Sequence, residues 1–211
     1  VSHFGKECNI VVNRKSTLAA PLIDLFEQEK GEGIVISPEK ALSKKGKNTL
    51  IIVVDTHKAD FTDCPELLEG NEKTVVIDHH RKTVNYIDNS VIFYHEPYAS
   101  SSSEMVTELI QYFRFDNDEK LPSYCAEALL AGIMLDTKNF VMRTGARTFE
   151  AAAFLKKLGA DTVAVKLLFS GSFESYKNKM EIVSSAKIHK KCAIAVADVK
   201  CSDIRIIAPQ A

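Results

Sequence analysis

Two apolar runs constrain the fold of this chain more than anything else in it. They are "LIIVV" at Leu50 to Val54 and "TVVI" at Thr74 to Ile77, and each ends in an aspartate. Both are continuously apolar rather than alternating. A strand with one wet face shows a polar residue at every second position, whereas a strand buried on both faces does not. Shorter runs of the same kind are "CNIVVN" (Cys8 to Asn13), "GIVIS" and "VIFYHE" (Val91 to Glu96). Between them lie "TLAAPLIDLFEQEK", "PEKALSKKG" and the short "CPELLEG", all with helical spacing. "PEKALSKKG" opens on proline, which suits the first position of a helix. Strand alternating with helix predicts an α/β fold, doubly wound, with a mainly parallel sheet covered on both faces.

From residue 100 the chain turns helical. "SSSEMVTELIQYF" carries Ser101 and Glu104 at capping-box spacing. "PSYCAEALLAGIMLDTKNF" is apolar almost all round, which predicts a buried helix. "TFEAAAFLKKLGA", ended by Gly159, and "DTVAVKLLFSG" read as two more. "SFESYKNKMEIVSSAKIHK" reads as one long helix with a polar face, followed by a strand in "CAIAVADV". The best boundary falls at Ser170 to Ser172, giving a domain over 1–170 and the start of a smaller α/β domain over 171–211. The roughly 40 residues after the break are too few to fold alone.

Bulk properties exclude several classes. A formal net charge of −1 gives no global basic field, so no polymeric nucleic acid is expected as partner. Five scattered cysteines (Cys8, Cys64, Cys125, Cys192 and Cys201) form no CxxC pair and read as reduced thiols of a cytoplasmic protein. No apolar run approaches the roughly 18 residues that cross a bilayer. No membrane contact by this chain is expected, and there is no signal peptide.

Chemistry gathers at the strand ends. Ligands of doubly wound sheets bind beyond the carboxyl ends of the strands. "LIIVVDTHK" delivers Asp55 there, and "TVVIDHHRK" delivers Asp78, His79 and His80. If the two strands are neighbours, these side chains converge. Asp136 lies late in the buried helix, where a charge needs a partner that a metal would supply. Carboxylate with imidazole suits Mn²⁺, Mg²⁺, Fe or Zn, and two such cations can activate water against a phosphoryl group. His57, His95 and His189 read as surface or structural histidines. Ser100 to Ser103 reads as a helix N-terminus, an end that also holds phosphate in some proteins.

"VIDHHRK" resembles the namesake motif of the DHH phosphoesterases. "VVDTHK", "EPYASSSSEMVTELIQYF" and "LLAGIMLDTKNFVMRTGARTFEAAAFLKKLGAD" narrow the resemblance to the catalytic domain of GdpP-type (YybT-type) cyclic-di-AMP phosphodiesterases. That resemblance implies an Mn²⁺-dependent enzyme with two ions in its complete site, with Mg²⁺, Fe or Co²⁺ as alternatives. Asp55 would bridge the ions, and His79 and Asp136 would complete the second metal site. His80 would face the substrate phosphate, with Asp78 orienting the histidine pair. Arg143 and Arg147 would contact phosphate. The implied reaction is hydrolysis of cyclic di-AMP to linear pApA by a metal-bound hydroxide. An oligoribonuclease cutting pApA-type short RNA and a non-catalytic nucleotide-sensing module are the competing readings. A homodimer is compatible with any of them.

The chain departs from the family pattern at both ends. The first family motif, His-x-x-x-Asp-x-Asp, is absent; "HFGKECN" at His3 to Asn9 matches its spacing by coincidence, with Glu and Asn for the two Asp. The glycine-rich GGGH-type loop of the associated C-terminal domain is absent too. The expectation is therefore an incomplete catalytic core, weakly active or inactive by itself, from a membrane-anchored bacterial parent.

Overall fold

The computed structural model describes residues 5–14, 19–30, 33–113, 121–169 and 173–196. His3, Cys201, the break at Ser170 to Ser172 and the end of "CAIAVADV" lie outside them. The chain divides into two compact units, Val1–Leu168 and Phe169–Ala211.

In the first unit every strand pair is parallel. β1 (Ile10–Val11) pairs with β2 (Val35–Ile36) across helix α1 (Ala20–Lys30). Helix α2 (Pro38–Lys44) follows, with Ser37 accepting a hydrogen bond from the Lys40 N–H at 3.4 Å and proline at its first position. β3 (Ile51–Val54), β4 (Thr74–Asp78) and β5 (Ile92–His95) form a second sheet in that order. Two single-turn 3-10 helices, Ala59–Phe61 and Pro65–Leu67, carry the chain from β3 to β4. The expected α/β class and parallel pairing are both present.

β4 is the central strand, and its burial explains its unbroken apolar run. Thr74, Val76 and Asp78 are buried on one face, where Val76 packs with Val53, Leu68 and Ile87. The opposite face differs from the expectation of full cover. Ile52, Val54 and Ile92 remain 42%, 53% and 57% exposed there. Apolar strand composition reports that a face is suited to burial, not which element covers it.

Helices α3 (Ser102–Ile110), α4 (Ser123–Asp136), α5 (Ala146–Lys157) and α6 (Thr162–Leu168) complete the unit. Their shared core is Ala126, Leu130, Ile133 and Met134 of α4 against Ala151, Leu155, Ala160 and Val165. The near-uniform apolarity of α4 has this cause: α1, α3, α5 and α6 all contact it. Ser101 caps α3 by accepting from the Glu104 N–H at 3.0 Å. The reciprocal half of the expected capping box is replaced: the buried Glu104 carboxylate accepts from Ser100 Oγ at 2.5 Å.

Gly132 lets α3 and α4 approach. A Cβ at this position would collide with Ser103 Oγ and lie 3.0 Å from Ser103 Cβ. Alanine adds about 1 kcal/mol of helix propensity over glycine. Overpacking removes about 1–3 kcal/mol. Gly132→Ala is therefore expected to lower stability by about 1 kcal/mol net in urea denaturation; a rise in the midpoint would show that the helices part without cost.

The second unit holds α7 (Phe173–Ser184) and an antiparallel hairpin of β6 (Lys187–His189) and β7 (Cys192–Ile194). The long helix expected to run through "KIHK" stops short. Ser185 Oγ donates to the Ile182 carbonyl at 2.8 Å and closes the last turn. Lys190 takes a left-handed φ of 55°, which turns the chain back on itself. Serines that bond the backbone locally compete with helix continuation. No helix among the described residues is long and apolar enough to cross a membrane.

Candidate metal centre

The parallel register gathers the predicted residues. Val54 pairs with Ile77, and Asp78 pairs with His95. Asp55, Asp78-His79-His80 and His95 therefore leave three neighbouring strands at the same, carboxyl edge of the sheet. Asp55 sits one residue past β3 with a left-handed φ of 65° and its N–H on the Ile77 carbonyl at 2.9 Å. Aspartate tolerates this conformation better than most residues, and such backbone outliers collect at functional positions. Asp136 arrives from elsewhere, as the last residue of α4.

His79 is the hub. It is 5% exposed, and its Nδ1 lies 3.3 Å from the Ala99 carbonyl. A carbonyl only accepts, so Nδ1 carries the proton and Nε2 presents its lone pair. That lone pair faces Asp55 Oδ1 at 3.5 Å and Asp136 Oδ2 at 3.4 Å. A ring nitrogen of His80 belongs to the same group: one ligand atom each from Asp55, His79 and His80 lies within 4.8 Å of the others. The Asp55 and Asp136 carboxylates, both turned toward His79 Nε2, repel one another. A divalent cation of the carboxylate- and imidazole-binding kind removes that repulsion. The Asp136 carboxyl registers it directly: burial first, then the charge of Asp55, push its pKa above the ordinary value. The donor set thus fits a divalent metal ion.

Asp78 has a different task. Its side chain is fully buried, with Oδ1 accepting from His80 Nδ1 at 2.8 Å and from the His80 N–H at 3.2 Å. Its Oδ2 meets His57 Nδ1 in a short contact. Burial alone would raise this carboxyl; the bonds from His80 and His57 outweigh it and hold it below its ordinary value of 3.8. His95 Nε2 in turn donates to the His80 carbonyl at 2.5 Å. Of the two readings of His57, surface or structural, the second holds: it is 2% exposed and bonded to Asp78. The "DTH" tripeptide held a signal for it. A histidine two residues past a strand-end aspartate stays on the same edge as the site. Its partner lies on the next strand, however, and only the sheet register reveals that.

The two arginines separate. Arg147 is clamped by Glu108 in a two-point fork, Nε to Oε1 at 2.8 Å and Nη2 to Oε2 at 2.8 Å. This pair joins α5 to α3 and raises the Arg147 pKa. Arg143 is exposed, has a left-handed φ of 53°, and acts electrostatically on Asp136. The Glu108–Arg147 fork is half exposed at the arginine, so Arg147→Ala is expected to cost no more than about 1 kcal/mol in denaturant unfolding; a larger loss would mark it as a fold-holding contact. The N-terminus of α3, a candidate phosphate holder by sequence, contains the buried Glu104 carboxylate in its first turn. That charge opposes an anion there.

Residues 3–133 match the family model described as the DHH family, N-terminal domain. The chain is 42% identical over 195 residues to the cyclic-di-AMP phosphodiesterase GdpP of Geobacillus thermodenitrificans, covering 91% of this chain and 29% of that protein. It is 39% identical over 178 residues to the cyclic-di-AMP phosphodiesterase PdeA of Listeria monocytogenes, covering 84% of this chain and 27% of that protein. The chain thus spans less than a third of the length of these curated relatives. Among solved structures, an exopolyphosphatase-related protein from Bacteroides fragilis shares the fold with a TM-score of 0.66 at 17% identity, covering 86% of this chain and 53% of that one.

Proposed function

This chain belongs to the DHH family, and we propose from that premise that it is the catalytic core of a phosphodiesterase that hydrolyses cyclic di-AMP to linear pApA. The observation that carries the reading is the His79 lone pair facing the Asp55 and Asp136 carboxylates. The two relatives named as cyclic-di-AMP phosphodiesterases support the substrate. We assign Asp55, His79 and Asp136 as the residues that would hold the divalent ion, Mn²⁺ in preference, with Asp55 the carboxylate that would also serve a second one. A bound divalent cation supplies charge for the phosphodiester oxygens and a more acidic water.

The chain's own residues do the rest. Asp55 and Asp136 keep a concentrated negative charge at the sheet edge, which His79 directs through Nε2. His80, with Nδ1 held by Asp78, has Nε2 as its remaining polar atom, and a proton there donates to a phosphate oxygen. Arg143 offers a guanidinium to phosphate on the Asp136 side. In the reaction the water oxygen bonds phosphorus, the P–O3′ bond breaks, and the 3′ oxygen leaves with a proton. Residues 171–211 we read as the start of a second, smaller domain.

The test incubates the protein with Mn²⁺ and cyclic di-AMP, pApA or pyrophosphate in parallel. The reading expects pApA to accumulate from cyclic di-AMP faster than pApA is cut. Faster cleavage of pApA to AMP would make the protein an oligoribonuclease. No cleavage of any substrate would favour the nucleotide-sensing module.

A further inference from the structure

His57 takes no part in the chemistry above, yet it is more deeply buried than any other described histidine, at 2% exposure. The Asp78 carboxylate only accepts, so the proton between them is on His57 Nδ1, which points at Oδ2. Nε2 faces the Thr83 loop, with the Thr83 N–H at 3.2 Å and its hydroxyl at 3.0 Å. The other Asp78 oxygen holds the His80 ring by its Nδ1 at 2.8 Å. One fully buried carboxylate is thus gripped from both sides, by His57 on one oxygen and by His80 on the other.

His57, Asp78 and His95 are residue types that bind metals, and their ligand atoms lie within 4.8 Å of one another. A cation is the poorer reading. Both Asp78 oxygens already accept imidazole protons, His57 Nε2 is already bonded to Thr83, and His95 Nε2 already donates to the His80 carbonyl. The cluster is a chain of hydrogen bonds running from the Thr83 loop to His80.

We propose that His57 is a positioning residue for His80: by holding Asp78 Oδ2 it fixes the carboxylate plane, and so fixes the orientation of the His80 ring that Oδ1 grips. Without His57 the carboxylate is held from Oδ1 alone, by the His80 N–H and ring, and its plane can tilt about the Cβ–Cγ bond. Partners of this kind tune a histidine without touching the reactants. The proposal rests on the phosphodiesterase reading only for its kinetic readout.

His57 also ties down the loop after His80, through Thr83 and through its own carbonyl, which accepts from the Ile87 N–H at 2.9 Å. The test must separate that structural tie from positioning. His57→Asn places an amide where Nδ1 stood and keeps a donor for Asp78. His57→Gln reaches the Nε2 position, keeps a partner for Thr83 and lets go of Asp78. Both are made in the protein carrying this chain, loaded with Mn²⁺ for kinetics on cyclic di-AMP. The metal-free protein, labelled with ¹⁵N-histidine, is used for NMR of the imidazole protons.

Positioning expects His57→Asn to retain kcat and the slowly exchanging His80 Nδ1–H signal. It expects His57→Gln to lose that signal and about ten- to a hundredfold in kcat, with KM within about twofold. Any other order of the two variants overturns it, including equal loss in both or loss in neither. If the parent protein cleaves no cyclic di-AMP, the function reading fails alone, and the His80 Nδ1–H signal still decides the role of His57.

Discussion

His79→Ala is expected to lower turnover of cyclic di-AMP by more than about 100-fold, the upper end of what loss of an outer partner of a metal ligand costs. The same substitution is expected to remove Mn²⁺-induced stabilisation. A ligand at about 100 times its Kd stabilises the folded state by about 2.7 kcal/mol, which thermal unfolding detects readily. The reason lies in the geometry. His79 is the residue that sees both carboxylates, at 3.5 Å and 3.4 Å from Nε2. Its other nitrogen is held by the Ala99 carbonyl, so Nε2 has one orientation. The metal-free cost should be small. One hydrogen bond goes, worth about 1 kcal/mol. His79→Gln keeps the volume and serves where alanine proves too disruptive. A variant with normal Mn²⁺ stabilisation and normal turnover would remove His79 from the site.

The second large effect belongs to Asp78. Asp78→Ala would leave the buried His57 Nδ1–H without its acceptor, and the more exposed His80 Nδ1–H and N–H without theirs. A buried donor left without its acceptor costs about 1–3 kcal/mol. A domain of this kind has about 5–15 kcal/mol in all, so alanine is expected to remove a measurable share of its stability. Asp78→Asn keeps one oxygen but turns an NH₂ toward an imidazole N–H. It is expected to stay folded while losing turnover, because one histidine must change tautomer or swing away.

The pH dependence has a definite sign. The Asp78 carboxyl is held below its ordinary value of 3.8 in the folded chain. Its contribution is therefore complete above that value and is lost as the pH falls through the lower, folded one. Denaturant unfolding at neutral pH should separate wild type from Asp78→Asn by more than unfolding at pH ~3 does. An equal gap at both values would mean that the aspartate charge does not hold the histidines.

Much of this site was legible in the sequence because strand ends are simple. An unbroken apolar strand that stops at Asp55 or at Asp78-His79-His80 puts those residues at a sheet edge whatever surrounds it. Asp136 was legible for another reason: a carboxylate closing an apolar helix has to meet something. Features that depend on register or on distant pairing were not legible. Arg147 reads as a free cation beside Arg143 until its partner Glu108, 39 residues away, is seen across two helices. His57 reads as a stray histidine until β3 and β4 are placed side by side. Strand β7 was legible in "CAIAVADV", but β6 was hidden inside a helical pattern, where the local bond of Ser185 and the left-handed Lys190 decided against propensity.

The most direct measurement is a titration of Mn²⁺ into the metal-free protein, followed by the electron paramagnetic resonance signal of free Mn²⁺. Wild type, Asp55→Asn and Asp136→Asn are compared at neutral pH. The account expects wild type to remove the free-ion signal and each variant to bind about tenfold or more weakly, with unfolding midpoints of the metal-free proteins unchanged or raised as carboxylate repulsion is relieved. Equal binding by all three proteins would contradict it, because the converging carboxylates would then not be what holds the ion.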